Sequence, residues 1–473
     1  MRLGAPTAAA DPATFHATHG LPATDPRPAG DLMSTAAEPT SAPFHLRGNF
    51  GPVTEEVTVT DLEVVGALPP GLRGTFVRNG PNPADGWSPH WFLGDGMVHG
   101  LRLEDGRARW YRNRYVRTRA LTEGAPFIGP EGVDLTAGRA NTHLVRHAGR
   151  VLALEEASLP WELTADLDTV GPYDFGGRLR TAMTAHPKAC PTTGELHFFG
   201  YGFTPPYLTY HVADRAGRLV TSRVVDVPGP TMMHDLNLTE RFVVFMDLPA
   251  VFDLDRALAG TMPYAFDPSY GARLGVLRRD DPHGEVRWFD VEPCYVFHAL
   301  NAHDDGETIT IDVVRHEGLW GAGGPPVLWR WTIDLAAGTV AEAQLDDRSC
   351  EFPRVDDRLT GRPARQGWVT CAPHDHRPDE GGSLVVHDLV GGGTIEHHFG
   401  PGRVPGEAVL APADDQAGGP GWLVTFVYDA ACDTSELVLL DADDPGAAPV
   451  ATVPLPARVP FGFHGSWLAD GAD

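Results

Sequence analysis

Of the 21 histidines in the chain, four stand in settings that suit chemistry. His186 lies in Met183-Thr184-Ala185-His186-Pro187-Lys188 and His234 in Met232-Met233-His234-Asp235. His298 lies in Cys294-Tyr295-Val296-Phe297-His298-Ala299-Leu300-Asn301, and His464 in Phe461-Gly462-Phe463-His464-Gly465-Ser466-Trp467. In three of these, apolar residues immediately precede the imidazole. A ring set in an apolar wall is costly unless its nitrogens have partners. A metal ion satisfies one nitrogen and a carboxylate the other. The intervals of 48, 64 and 166 residues exclude the i, i+4 spacing of a helical metal site. A lone histidine is more often a surface or satisfied core residue than a ligand, and any four of 21 are open to choice. Residue type and spacing therefore leave a four-imidazole centre as one reading among several.

The elements that must position these rings read as short strands. Leu101-Arg102-Leu103, then Glu104-Asp105-Gly106, then Arg109-Trp110-Tyr111 is strand, turn, strand, and Trp329 to Ile333, Asp334 to Gly338, Thr339-Val340 repeats the pattern. Thr308 to Val313 alternates polar and apolar residues, as a half-buried strand does. Phe242 to Met246, Leu384 to His387, Leu423 to Val427 and Leu437 to Leu440 also read as strands, with Asp-Gly turns between strands as hairpin signals. The 54 glycines and 43 prolines lie well above the usual combined share of about 12 %, which favours turns over long helices. No strict internal repeat is visible, which argues against a WD-type array. The expectation is an all-β chain: residues 1–40 a flexible N-terminal tail rich in Ala, Pro and Thr, and 41–473 a single β-propeller catalytic domain. Seven four-stranded blades need about 50–60 residues each with their connections, and the histidine intervals are steps on that scale.

Composition excludes several function classes. A net charge of −26 with no dense Lys/Arg cluster lacks the basic footprint of a nucleic-acid partner. Five scattered cysteines, Cys190, Cys294, Cys350, Cys371 and Cys432, form neither a disulfide framework nor a zinc knuckle, and suit free thiols in a reducing compartment. No run reaches the ~18 apolar residues of a membrane span, and the N-terminus lacks a secretory pattern. A cytoplasmic protein is expected, with membrane contact at most peripheral. The sequence does not set the oligomeric state. There is no GxGxxG after a strand, no P-loop and no GxSxG elbow.

The four histidine settings resemble the iron-ligand segments of the carotenoid cleavage oxygenase family, and the likeness runs from about residue 45 to the C-terminus. Leu72-Arg73-Gly74-Thr75-Phe76-Val77-Arg78-Asn79-Gly80-Pro81-Asn82-Pro83 is similar to that family's opening strand, and Gly94-Asp95-Gly96-Met97-Val98-His99-Gly100 to a second hallmark. The resemblance implies a seven-bladed β-propeller with loops and helices capping a metal site, and Fe(II) on the axis held by His186, His234, His298 and His464. It also implies three supporting glutamates: Glu156, Glu351 in Glu351-Phe352-Pro353-Arg354, and Glu407 in Pro405-Gly406-Glu407-Ala408-Val409. Glu155 is adjacent to the first, and strand alternation turns only one of the two inward. Glu156 is chosen by its distance to Leu159-Pro160. Asn141-Thr142 resembles the segment whose threonine nears the open iron position, whereas Ala299 replaces a frequent proline after the third ligand.

Cleaving one C=C bond into two carbonyls uses both atoms of O2 and needs no external reductant, which fits a chain without nicotinamide or flavin fingerprints. Four neutral imidazoles leave two of the six positions of Fe(II) open. The expected partners are O2 and an apolar alkene, a carotenoid or apocarotenoid. Phe203, Tyr207, Phe297, Phe352, Phe463 and Trp161 are candidates for its walls and equally for core. The alternative substrate is a stilbene or phenylpropenoid. Arg114-Tyr115-Val116-Arg117-Thr118-Arg119-Ala120 offers arginines but no lysine for a phenol, which tilts against it. A Ca²⁺-dependent lactonase prefers oxygen ligands, and a binding platform would leave the four histidines incidental.

Overall fold

The computed structural model describes residues 42–130, 132–372 and 381–471; the expected tail, residues 1–40, lies outside them. Seven antiparallel sheets form the blades of a β-propeller. The first blade joins Thr58–Leu62, Gly74–Pro81, Gly96–Glu104 and Arg107–Tyr115 to the C-terminal strand Gly465–Ala469. Gly74 faces Ala469 and Arg78 faces Gly465, so strands from opposite ends of the described chain close the ring. The next five blades begin at His143, Lys188, Leu236, Tyr295 and Glu351, each with four strands. The seventh is built mainly from Arg403–Pro405, Val409–Pro412, Gly421–Asp429, Thr434–Asp441 and Ala451–Pro454, with Val65–Gly66 from the N-terminal side added at its edge.

Each blade is covered on both faces by its neighbours. Its middle strands therefore carry continuous apolar runs instead of simple alternation. Phe242–Asp247 is buried at every position. Phe76, Leu101 and Tyr111 of the first blade meet Phe426 and Leu437 of the seventh in one core cluster. Full burial of such a side chain contributes about 1.5–3 kcal/mol. Among the described residues the two α-helices, Arg119–Glu123 and Leu254–Leu258, are single turns.

The innermost strands surround the axis. The segments that begin or precede them carry His143, His186, His234, His298, Glu351, Glu407 and His464, one from each blade. A polar-edged cavity of about 300 Å³ runs along these strands, lined by His143, His186, His298, Arg354, Glu407 and His464 among others.

Candidate metal centre

Thr184 sets the first ring. Its Oγ1 accepts from the His186 backbone N–H at 3.1 Å and donates to the His234 carbonyl at 3.0 Å, which couples the first two histidine segments. Asp235, buried and next to His234, receives Lys188 Nζ at 2.8 Å and the Ala299 N–H at 2.9 Å. Residues just past three different histidines are thus cross-linked. His298 sits inside the strand Tyr295–Asp304, where the register shifts between Val296 and Ala299. Such a bulge re-aims side chains at a barrel or blade rim. Phe463 N–H donates to Asn79 O at 2.9 Å and His464 N–H to Thr142 O at 3.1 Å, fixing the last segment.

The four rings converge. His186 Nε2 and His234 Nε2 are 3.0 Å apart, and ligand nitrogens of His186, His234 and His298 lie within 4.8 Å of one another. The His464 ring centre is 4.6 Å from that of His186 and 4.7 Å from that of His298. Three rings are held from behind. Glu156 Oε1 lies against His234 Nδ1, His298 Nδ1 donates to Glu351 Oε2 at 2.6 Å, and His464 Nδ1 donates to Glu407 Oε1 at 3.0 Å. A ring that donates from Nδ1 keeps its lone pair on Nε2. Burial, reinforced by the neighbouring rings, pushes the pKa values of His186 and His464 well below the usual range. Burial is the largest influence on His298 and lowers its pKa, but the Glu351 charge and hydrogen bond, with Asp235 and Glu407, raise it and the net shift is upward. Inward ring nitrogens, backed by a carboxylate in three cases of four, are the donor set of an imidazole-ligated divalent metal.

Glu155 takes another part. Its carboxylate accepts from the Arg139 and Ala140 backbone N–H groups and from Ser158 Oγ, so it clamps the turn that leads to Thr142. Thr142 is buried, and its Oγ1 donates to Asn141 Oδ1 at 2.9 Å; its link to the rings runs through its carbonyl and His464. Several neighbours escaped the sequence reading. His143 packs 5.1 Å from the His464 ring, and burial together with His464 holds its pKa down at about 3. Arg354 Nη1 reaches Glu407 at 3.3 Å, Tyr201 donates to Glu156 Oε2 at 2.7 Å, and His316 donates to Glu351 Oε1 at 2.6 Å. Their partners sit in other strands or blades, and the local sequence, even where Arg354 falls in a quoted motif, does not show those contacts.

One side of the centre is aromatic. Phe297 lies 5.1 Å from His234, and Phe352 lies 5.5 Å from both His298 and His464. Phe463 packs on Phe92 at 5.2 Å, and Phe92 on Trp320 at 5.6 Å. Phe92 and Trp320 were not singled out from sequence. Trp161 belongs instead to the core between the first and second blades, and Phe203 stacks on Phe252 at 5.2 Å. The arginines of the 114–120 segment bind away from the centre. Arg114 reaches Val57 O and Thr58, Arg117 reaches Glu56, and Arg119 reaches Glu123 and Asp134. They carry no information about a phenol.

The family model "Retinal pigment epithelial membrane protein" matches residues 50–469. A carotenoid cleavage oxygenase from Mycobacterium tuberculosis is 39% identical over 92% of this chain and 99% of its own length. The chain belongs to the carotenoid oxygenase family. Carotenoid 9,10(9',10')-cleavage dioxygenase 1 of Phaseolus vulgaris is a further family relative, 34% identical over 95% of this chain and 96% of its own. Among solved members, lignostilbene dioxygenase from Pseudomonas brassicacearum superposes with a TM-score of 0.83 at 30% identity, covering 92% of this chain and 100% of that one. Cobalt-substituted ACO from Synechocystis superposes at 0.77 and 29% identity, covering 88% and 97%. The expected seven-bladed propeller and the assignment to a carotenoid cleavage type of dioxygenase therefore stand. The carotenoid oxygenase family is metal-dependent, and the gathered imidazoles fit that requirement.

Proposed function

We propose that this protein is an iron(II) dioxygenase that cleaves one C=C bond of a carotenoid or apocarotenoid into two carbonyl products. His186, His234, His298 and His464 hold the iron in this reading. Glu156, Glu351 and Glu407 orient three of the rings, and Thr142 stands beside an open coordination position. When bound, the iron supplies an oxygen-reactive centre with two of six positions free. The observation that carries the reading is the convergence of the rings with a carboxylate behind three of them. In this reading the packed aromatic side formed by Phe297, Phe352, Phe463, Phe92 and Trp320 is where water is excluded and a long alkene is kept in register. Both oxygen atoms of O2 enter the two products, so no reductant site is required.

The 39% identity to a carotenoid cleavage oxygenase favours the carotenoid class. The superposition on a lignostilbene dioxygenase keeps a stilbene as the second reading. The test is anaerobic purification, metal analysis, then O2 uptake with β-apocarotenals and with hydroxystilbenes. About one iron per chain, with O2 consumed alongside an apocarotenal and two carbonyl products formed, is the expected result. Uptake with stilbenes alone would transfer the protein to the second class. Calcium with ester hydrolysis, or no metal at all, would sink both.

The reading also takes residues 41–473 as one catalytic domain. No helix among the described residues is long and apolar enough to cross a membrane. Peripheral contact through the exposed Leu254 and Leu258 is proposed as the route by which an apolar substrate is drawn in. A cytoplasmic location is proposed on the strength of the five free cysteines.

A further inference from the structure

Each of the three glutamates behind the rings has a second oxygen, and each second oxygen meets a different donor. Tyr201 hydroxyl donates to Glu156 Oε2 at 2.7 Å. Glu407 Oε2 accepts from the Gly465 N–H at 2.7 Å and from Arg354 Nη1 at 3.3 Å. Glu351 lies between two imidazoles, with His298 Nδ1 2.6 Å from Oε2 and His316 Nε2 2.6 Å from Oε1. The Phe352 N–H, at 2.8 Å, completes the set on Oε2. His316 ends the strand Thr308–His316 in the fifth blade, opposite Tyr295, whereas Glu351 opens the sixth. Its contact therefore crosses from the blade that carries His298 to the blade that carries the carboxylate. Phe297 packs edge-on against the His316 ring at 5.2 Å and holds it in place.

We infer that His316 is a positioning residue for the metal: by donating Nε2–H to Glu351 it fixes the carboxylate that aims His298. This rests on the reading of His298 as a ligand. The physical case is one of rotation. The contacts on Oε2 fix one end of the carboxylate, but torsion about the Cγ–Cδ bond still sets the plane in which it faces His298. Terminal torsions of this kind are broad. A second donor on Oε1, also at 2.6 Å, removes that freedom. It also supplies a hydrogen bond to an anion that burial would otherwise leave underpaired. Outer partners of this kind typically change metal affinity by about 10–100-fold when lost.

A role as a simple tie between blades predicts something different, so the test separates the two. The intact protein is loaded with Co(II) as the probe. Its visible absorption is recorded, and the half-time for transfer of Co(II) to a chelator in excess is measured for wild type, His316→Phe and His316→Gln. Gln returns an N–H donor near the position of Nε2, whereas Phe keeps a ring against Phe297 and donates nothing. His316→Phe is expected to release Co(II) about ten-fold faster with an altered visible spectrum, and His316→Gln to stay within about two-fold of wild type. Should the Phe protein fail to fold, His316→Leu serves as the donor-free variant. Equal release and equal spectra in wild type and the donor-free variant would overturn the inference. So would equal defects in the Gln and donor-free proteins, since the ring and not the donor would then matter. Wild type that takes up no Co(II) would instead remove the four-imidazole reading on which the inference stands.

Discussion

Two adjacent glutamates divide the labour at the end of the strand Arg150–Leu154. Glu156 faces His234 and Tyr201, while Glu155 turns to the Arg139 and Ala140 amides and Ser158. The two carboxylates, just past the strand, thus meet different partners, so one substitution at each position separates the proposed support of the ring from folding. Glu156→Gln is expected to speed metal loss by about 10–100-fold and to leave the melting temperature of the metal-free protein near wild type. Glu155→Gln should do the reverse. A weakened acceptor for buried amides costs about 1–3 kcal/mol, read as a lower melting temperature, with metal release little changed. If both variants lose metal alike, the division is wrong. That Glu156 and not Glu155 lies against His234 was legible from a local motif. The same motifs marked Glu351, Glu407 and the four histidines. The donors on the far side of the glutamates, Tyr201, His316 and Arg354, were not legible. Their partners are 35 to 53 residues distant, and hydrogen bonding across a blade boundary leaves no trace in local sequence.

At the scale of elements, hairpins were easily read and their irregularities were not. The turn at Glu104-Asp105-Gly106 joins Gly96–Glu104 to Arg107–Tyr115, and the turn at 334–338 joins Val327–Asp334 to Thr339–Gln344. Alternation and turn residues are local, so these were visible in the chain. The register shift around His298 was not, nor was the positive φ of Phe352, +54°, because bulges and strained residues are imposed by the elements packed around them. Ring closure is also non-local, and it delivers His464. Gly80, in the strand Gly74–Pro81, passes so close to the His464 segment that a β-carbon on it would stand 2.6 Å from Gly462 Cα. That neighbour is backbone and cannot swing away. Gly80→Ala is therefore expected to cost about 1–3 kcal/mol through overpacking and to reduce bound metal by displacing Phe463 and His464. Gly71→Ala, where a β-carbon meets nothing within 4 Å, is the control and should match wild type in melting temperature and metal content. Normal metal content in Gly80→Ala would show that His464 does not depend on this close approach.

For the whole molecule, closing seven sheets into a ring buries polar side chains far from the axis, and this couples stability to pH. His99 in the first blade bonds Tyr111 hydroxyl at 2.8 Å, and His211 in the third bonds Ser222 Oγ at 2.8 Å and Thr181 Oγ1 at 2.9 Å. Both are buried among neutral partners. Burial, with help from Arg78 and Arg458, lowers the pKa of His99 to about 3, and burial lowers that of His211 to about 4. Unfolded, each returns to about 6.5. Below that value the unfolded chain binds protons that the folded chain refuses, so stability rises with pH in this window. The contribution is complete above about pH 6.5 and is lost progressively as pH falls towards 4 and then 3, by up to about 1.4 kcal/mol per pH unit for each ring. Carboxylates with depressed pKa values add to the loss only below their unfolded value of about 4.3, so the interval between about pH 6 and 5 lies above their contribution, and comparison with a variant lacking both rings reads the two histidines. Melting of the metal-free protein across that interval should show a falling transition temperature. A His99→Gln/His211→Gln protein, which keeps polar groups at both sites but cannot take up a proton, should show a slope shallower by about two protons. An unchanged slope would mean that the unfolded chain gains no more protons at these positions than the folded one does, and that the buried rings accept protons in place.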